Sequence, residues 1–492
     1  MCASVIIKKL KRFARRLLPK NRFARGVSLL AGGAMAGQAI IIAASPILTR
    51  LYSPEDFGVL AVFASLLGII GAIASLRYQL AIPLPENEKD AANVTVLSLV
   101  IVLGMSLLTS IIVIPLSRPI SDMLNAPLLD DFIWLLPAGV MLAGVYEVLN
   151  YWAIRKKAFS SIAQTKLNQS VGMVGVQVGG YSLGPLALVL GRVVGQTIGI
   201  LKLAKIIASN RGEFRKVSIS GVRVSLKKYR SFPLVSTWSA LASAGASQLP
   251  ALLIAVIVGP AAAGLYALTS RVMLLPVGVI SKSMGDVFYS EAIDAKAQGK
   301  LGPLVVNIYS KMVFVGLPIA LTLIFAAPEV FSVIFGDNWA RSGELASWMT
   351  IGVFFQFVTT PPGRVFLILD RHGYALFFQL SFLLTTAISI VLGGLWFKDL
   401  MLIMAILAVG RSLIYCLRFW KILNLVGESF DKLWRPLVKN LPYAILCCLP
   451  IVFANYISNV FGSETCVKLG LFGLSVVMAI VPSIKIYTKR GG

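Results

Sequence analysis

Six ionisable residues lie inside stretches of sequence that are otherwise apolar enough to cross a membrane. They are Arg77, Glu147, Arg192, Arg271, Arg364 and Arg411. An arginine at the centre of a bilayer costs about 2.5–3.5 kcal/mol on insertion scales. Five of them facing lipid would cost at least ~12 kcal/mol, which is comparable with a whole folding free energy of ~5–15 kcal/mol. We therefore expect these side chains to face a watery or protein-lined interior.

An interior rich in arginine suits an anionic ligand, and phosphate in particular, because the planar guanidinium fork binds it bidentately. For Arg77 and Arg364 a second interpretation is open. Each lies about six residues, or roughly 9 Å, from the cytoplasmic end of its predicted helix, within reach of the surface by snorkelling. For Glu147 two interpretations are equally open: a salt bridge to a neighbouring arginine, or a direct role in substrate binding or ion coupling.

The composition indicates an integral membrane protein. Of 492 residues, 57% are hydrophobic and only 14% are charged, and the mean hydropathy is +0.83. The net charge of +25 is best explained by basic residues that hold loops in the cytoplasm rather than by a nucleic-acid partner. The single histidine and the scattered cysteines predict no metal site, and we expect no cofactor and no catalytic residues.

Fourteen apolar segments are long enough to span a bilayer. The basic residues fall overwhelmingly on the side of the N-terminus, which predicts that both termini are cytoplasmic. The approximate predicted spans are 27–48, 57–82, 91–116, 132–153, 161–181, 184–207, 233–258, 262–285, 311–335, 343–369, 374–397, 400–424, 436–457 and 465–487.

A weak internal repeat predicts two parallel six-helix lobes. "YSPEDFGVLA" joins the first and second spans and "VGPAAAGLYA" joins the seventh and eighth, so that Pro54 and Gly58 match Pro260 and Gly264. The predicted fold class is an all-α polytopic membrane protein with a C-terminal helix pair. The predicted segments are a basic interfacial segment (1–26), an N-lobe (27–208), a basic cytoplasmic linker (209–232), a C-lobe (233–425) and the last two helices (426–492).

Four stretches resemble the O-antigen and capsule flippases (Wzx-type; polysaccharide biosynthesis/export proteins) of the multidrug/oligosaccharidyl-lipid/polysaccharide exporter superfamily, called MOP. They are "SPILTRLYSPEDFGVLAVFASL", "LRYQLAIPLP", "VLNYWAIRKKAFSSIAQTK" and "AGLYALTSRVMLLPVGVI". The resemblance implies a V-shaped, MATE-like pair of lobes around a cavity. It implies translocation of an undecaprenyl-pyrophosphate-linked oligosaccharide from the cytoplasmic to the periplasmic leaflet of the bacterial inner membrane. It also places Arg50, Arg77 and Arg271 at family motif positions, with Gln79 where a glutamate is expected.

Two other functions fit the sequence less well than a flippase. A cation or multidrug antiporter of the same superfamily would need several intramembrane carboxylates, and we expect such a role of Glu147 alone. A membrane-embedded polysaccharide polymerase or ligase would need a large periplasmic loop, whereas the predicted outer loops are short. The expected partners are a lipid-linked glycan, membrane lipid and polysaccharide polymerase or assembly proteins.

Overall fold

The computed structural model describes residues 22–461, 473–475 and 478, and it is built from long α-helices. Short helical segments connect several of them. The thirteen long helices are α1 (Arg22–Leu51), α2 (Pro54–Ala72), α3 (Glu88–Val113), α4 (Leu135–Arg155), α5 (Phe159–Gly179), α6 (Pro185–Ala208), α7 (Thr237–Ile257), α8 (Pro260–Ala297), α9 (Leu301–Phe335), α10 (Ala340–Thr359), α11 (His372–Phe397), α12 (Leu400–Leu425) and α13 (Asp431–Phe461).

These helices fall on the first thirteen predicted spans, and the predicted all-α polytopic class is confirmed. Within the described part of the chain, nine helices are long and apolar enough to cross a membrane, and α10 with the bent segment after it would make a tenth. The other three, α4, α5 and α13, carry more polar side chains. The last predicted span lies mostly outside the described residues. Residues 1–21 of the predicted interfacial segment also lie outside them.

The contacts divide the described chain into two units. Unit 1 holds the described residues up to Leu48 together with Phe63–Met123 and Pro127–Gln248, and unit 2 holds Thr49–Val62, Leu124–Ala126 and the described residues from Leu249 onward. In unit 1, α3 packs on α4, α4 on α6, and α6 on α5. In unit 2, α9 packs on α10, α10 on α12, and α12 on α11. The two units therefore repeat one packing order with an offset of six helices, as expected from the internal repeat.

Within unit 2, the matching glycines of the repeat make a reciprocal close contact. A Cβ atom on Gly58 would lie 2.0 Å from the carbonyl oxygen of Pro260, and one on Gly264 would lie 1.9 Å from the carbonyl oxygen of Pro54. The first turns of α2 and α8 therefore touch backbone to backbone, an approach that only glycine permits. Beside this contact, the buried indole of Trp339 donates to the carbonyl oxygen of Thr49 over 2.9 Å.

The prediction of one continuous helix over 57–82 is wrong. Helix α2 ends at Ala72, and a turn leads into a short 3-10 helix, Tyr78–Ala81. In that turn the backbone of Arg77 is left-handed, with φ of 65°. The hydroxyl of Ser75 donates to the side-chain oxygen of Gln79, which closes the turn. Gln79, the departure from the family pattern, thus takes part in ending the helix.

The predicted helix over 343–369 is also interrupted. Helix α10 ends at Thr359, and the segment after it is bent by 52° and begins with a 3-10 helix, Pro362–Arg364. Consecutive prolines at 361 and 362 remove two backbone donors and clash with the preceding turn, so the helix cannot continue. Arg364 therefore lies in a break rather than within a membrane helix.

The basic segment predicted as a linker is folded against unit 1. It contains a linker helix, Ile219–Lys228, which packs on α3. The backbone N–H of Ser218 donates to the side-chain oxygen of Asn93 over 3.3 Å, and the Tyr78 hydroxyl donates to the carbonyl oxygen of Leu226 over 3.0 Å. The linker helix thus holds the turn that carries Arg77.

The reciprocal glycine contact predicts that one added methyl group lowers the stability of the protein at Gly264 but not at a glycine that faces open space. Gly264→Ala places a methyl against a backbone oxygen that no side-chain rotation can relieve, and we expect a loss of about 1–3 kcal/mol of stability. The control is Gly104→Ala on α3, where a Cβ meets nothing within 4 Å. There the better helix propensity of alanine should leave stability unchanged or raise it by up to about 1 kcal/mol. Thermal unfolding of the purified protein checks this, and equal midpoints for the two variants would contradict it.

Candidate functional site

Unit 1 contains a polar cavity of about 320 Å³ between helices α1, α5 and α6. Two cations, Lys166 and Arg192, line it together with side chains that can both donate and accept hydrogen bonds. The complete lining is Ala34, Gly37, Gln38, Ile41, Lys166, Gln169, Ser170, Met173, Arg192, Gly195 and Gln196. We call this space the Lys166–Arg192 cavity.

Close helix packing shapes this cavity. A Cβ on Gly37 would lie 2.9 Å from the Ser170 hydroxyl, and one on Gly195 would lie 3.0 Å from the carbonyl oxygen of Gln169. The two glycines let α1 and α6 approach α5, which encloses the polar side chains. Across the α5–α6 interface the amide of Gln169 donates to the side-chain oxygen of Gln196 over 3.2 Å. The cavity is therefore built from ordered polar groups rather than loose surface chains.

The two cations of this cavity act on each other. The side chain of Arg192 is exposed because it faces the open cavity, and Lys166 is half-buried. Lys166 and Arg192 repel each other electrostatically, while the carboxylate of Glu147 attracts Lys166. The Lys166 ammonium also lies 4.6 Å from the centre of the Tyr146 ring. An anion entering the cavity would relieve the repulsion between the cations.

Glu147 links this cavity to a second one in the same unit. Its half-buried carboxylate interacts electrostatically with both Lys166 and Arg77. Arg77 lines a cavity of about 640 Å³ whose opposite wall is the start of α7 and the π-helical turn before it, Phe232–Ser236. That wall is formed by small residues, namely Ser236, Ser239, Ala240, Ser243, Ala244 and Ser247. Among the described residues, the Nε of Arg77 is buried without a hydrogen-bond partner.

The predicted arginines of unit 2 have protein partners. Arg411 on α12 donates to the Thr386 hydroxyl over 3.0 Å and lines a pocket of only about 20 Å³. Arg364 forms a 3.0 Å ion pair with Asp286 of α8. Arg50, at the end of α1, donates to the carbonyl oxygens of Val333 and Ile334 at the C-terminal end of α9.

The structure thus brings Arg77, Glu147 and Arg192 together in one unit, and it adds Lys166. Arg271 is a half-buried residue of α8 in unit 2 and has interactions of its own within the protein. Lys166 was not singled out from the sequence, although it lies six residues into the predicted span 161–181. Applying the rule used for the arginines to every lysine inside a predicted span would have found it.

Comparisons with known proteins place the chain in a family. A family model described as "Polysaccharide biosynthesis protein" matches residues 47–344, and the chain belongs to this family. No curated protein sequence matches it. The resemblance read from the sequence motifs is confirmed at the level of family and fold.

The fold is similar to the folds of solved membrane transporters. The lipid II flippase MurJ, in an inward closed conformation, aligns with a TM-score of 0.72 at 12% identity over 94% of this chain and 99% of its own. An inward-facing multidrug resistance MATE family transporter aligns with a TM-score of 0.54 at 14% identity over 84% and 98%. A MOP superfamily transporter from Pyrococcus furiosus, described as having a binding pocket of reverse polarity, gives 0.54 at 14% identity over 82% and 97%.

The electrostatic attraction between Glu147 and Lys166 predicts that the effects of substituting them are not additive. Either Glu147→Gln or Lys166→Gln leaves a partly buried charge with less compensation, whereas the double variant removes both charges. We expect a coupling energy of about 1–3 kcal/mol in a double-mutant cycle measured by unfolding.

The matched control cycle pairs Glu147 with Lys202 instead of Lys166. Lys202 is a half-buried residue on α6 that donates to Gln164. The Glu147–Lys202 cycle should be additive within about 0.5 kcal/mol. Equal coupling in the two cycles would show that Glu147 responds to net charge rather than to Lys166.

Proposed function

We propose that this protein is a flippase that moves an undecaprenyl-pyrophosphate-linked oligosaccharide, the repeat unit of an O-antigen, capsule or exopolysaccharide, from the cytoplasmic to the periplasmic leaflet. The observation that carries the proposal is the Lys166–Arg192 cavity, where membrane helices enclose two cations and several amides. Family membership and the fold shared with the lipid II flippase MurJ support it.

The chemistry of the cavity fits a phosphorylated lipid-linked sugar. A pyrophosphate moved into hydrocarbon without partners would face a Born cost of tens of kcal/mol. Lys166 and Arg192 replace part of its lost hydration with charge-assisted hydrogen bonds. The amides of Gln38, Gln169 and Gln196 can donate to and accept from sugar hydroxyls. The polyprenyl tail can stay in lipid throughout.

In this proposal Glu147 holds the cationic cluster together when no substrate is bound. Arg77 and Lys166 both interact with Glu147, and Arg192 interacts with Lys166, so the described cluster keeps a net positive charge for an anion. The substrate phosphate would then compete with Glu147 for Lys166. Translocation follows by alternating access, in which the cavity opens first to one face of the membrane and then to the other.

The same observations argue against the other functions. An antiporter of cationic drugs would need an acidic cavity, whereas this one is cationic, so the MATE likeness supports the fold and not that substrate. A polymerase or ligase is disfavoured because the proposed site lies among membrane helices and the predicted outer loops are short. We propose an inner-membrane location with both termini in the cytoplasm, from which the product would pass to polysaccharide polymerase and assembly proteins.

The test counts labelled lipid-linked oligosaccharide on the periplasmic face of spheroplasts from a strain that lacks the protein. Each charged contact to phosphate contributes about 1.5–3 kcal/mol, roughly tenfold or more in binding. We therefore expect the double variant Lys166→Gln with Arg192→Gln to transport more slowly than the wild type, by at least about tenfold for each charge removed. Ala34→Trp, which fills the cavity and keeps both cations, should also block transport.

Two comparison variants sharpen this test. Arg223→Gln with Lys227→Gln removes the same charge from exposed positions on the linker helix and should transport like the wild type. Arg411→Gln should have a smaller effect than Arg192→Gln, because Arg411 is already bonded to Thr386. Equal transport by the wild type and by the cavity double variant would support the flippase function but refute the Lys166–Arg192 cavity as its site. No transport by the wild type would refute the function.

A further inference from the structure

Unit 2 contains a groove that is separate from the cavities described above and is lined by different residues. It lies between the start of α11 and the end of α12 and has a volume of about 800 Å³. We call it the α11–α12 groove. Its principal lining residues are Arg371, Tyr374, Phe377, Leu417, Trp420 and Lys421.

The groove is polar at one end and apolar along its length. Arg371 and Lys421 lie at the rim, where α11 begins and α12 ends. Phe377 is about six residues further along α11, roughly 9 Å deeper, and Leu417 is one turn deeper on α12. The side chains of Phe377 and Leu417 are 61% and 54% exposed, so the described part of the chain leaves this apolar surface uncovered.

Contacts within the groove and behind it hold its wall in place. The Lys421 ammonium lies 4.7 Å from the centre of the Tyr374 ring. Phe366 packs behind the wall, 6.1 Å from Tyr374 and 5.9 Å from Phe378 between ring centres. Lys296 of α8 donates to the carbonyl oxygen of Ile368 over 2.8 Å, which fixes the segment before the rim. The groove is therefore preformed.

We propose that the α11–α12 groove binds an anionic phospholipid of the cytoplasmic leaflet. The positive-inside bias puts the rim at the cytoplasmic surface, where anionic lipids concentrate and where aromatic side chains meet the headgroups. The Arg371 fork and the Lys421 ammonium bind the headgroup phosphate, and Phe377 and Leu417 contact an acyl chain. Asp370, the acidic residue at the rim, has interactions within the protein and is outnumbered by the two cations.

This site differs from the proposed transport site in place and in ligand. Its residues belong to unit 2, whereas the Lys166–Arg192 cavity belongs to unit 1. The inference does not depend on the substrate of transport or on its direction. A failure of one proposal therefore leaves the other standing.

The experiment titrates the delipidated, full-length protein in detergent with phosphatidylglycerol and counts bound lipids by native mass spectrometry. Phosphatidylcholine, which carries no net charge, is titrated in parallel. We expect one tightly held phosphatidylglycerol that Arg371→Gln with Lys421→Gln weakens by at least about tenfold for each charge. Lys89→Gln with Lys227→Gln, two exposed basic residues outside the groove, should bind like the wild type.

A second variant and two competitors keep the inference falsifiable. Leu417→Trp fills the apolar part of the groove with both cations intact and should also remove the bound lipid. Equal binding by wild type and by the rim double variant, or equal binding of phosphatidylcholine, would overturn the proposal. Displacement by inorganic phosphate would indicate a free-anion site instead. Displacement by undecaprenyl phosphate at lower concentration than phosphatidylglycerol would indicate a carrier-lipid site instead, and either result overturns the proposal.

Discussion

The organisation of this protein depends on one constraint: a charged group in hydrocarbon must be enclosed by protein or water. In unit 1, glycines meet this constraint by letting helices approach each other around long polar side chains. Gly37 and Gly195 bring α1 and α6 against α5, and the space that remains holds Lys166 and Arg192. The same packing that makes the charges tolerable in a membrane also gathers them in one cavity, where they can serve a ligand.

The internal repeat shows how equivalent helices take different roles. Arg192 on α6 and Arg411 on α12 occupy corresponding helices with similar local sequence, "LGRVVG" and "VGRSLI". In unit 1 the arginine faces a cavity of about 320 Å³, whereas in unit 2 it bonds to Thr386 beside a pocket of about 20 Å³. A pocket of that size holds about one water molecule. Of these two equivalent arginines, the one in unit 1 is therefore the one that faces open space.

Breaks in the helices give the remaining arginines their positions. Two predicted spans end early, one at a left-handed turn closed by Ser75 and Gln79 and one at consecutive prolines. Each break places an arginine outside the regular helix. Arg77 then lines a cavity opposite the serines of α7, and Arg364 reaches Asp286. The linker helix, by contacting Tyr78, steadies the first of these breaks.

The sequence by itself determined the membrane class, the number and order of the described long helices and the internal repeat, because these follow from apolar length and local pattern. It also indicated that the buried arginines need partners. Only the tertiary structure decided which partners they have: protein groups for Arg364 and Arg411, a shared carboxylate for Arg77 and Lys166, and an open cavity for Arg192. Helix rotation and distant packing set these environments, and neither is encoded in the spacing of residues along one segment.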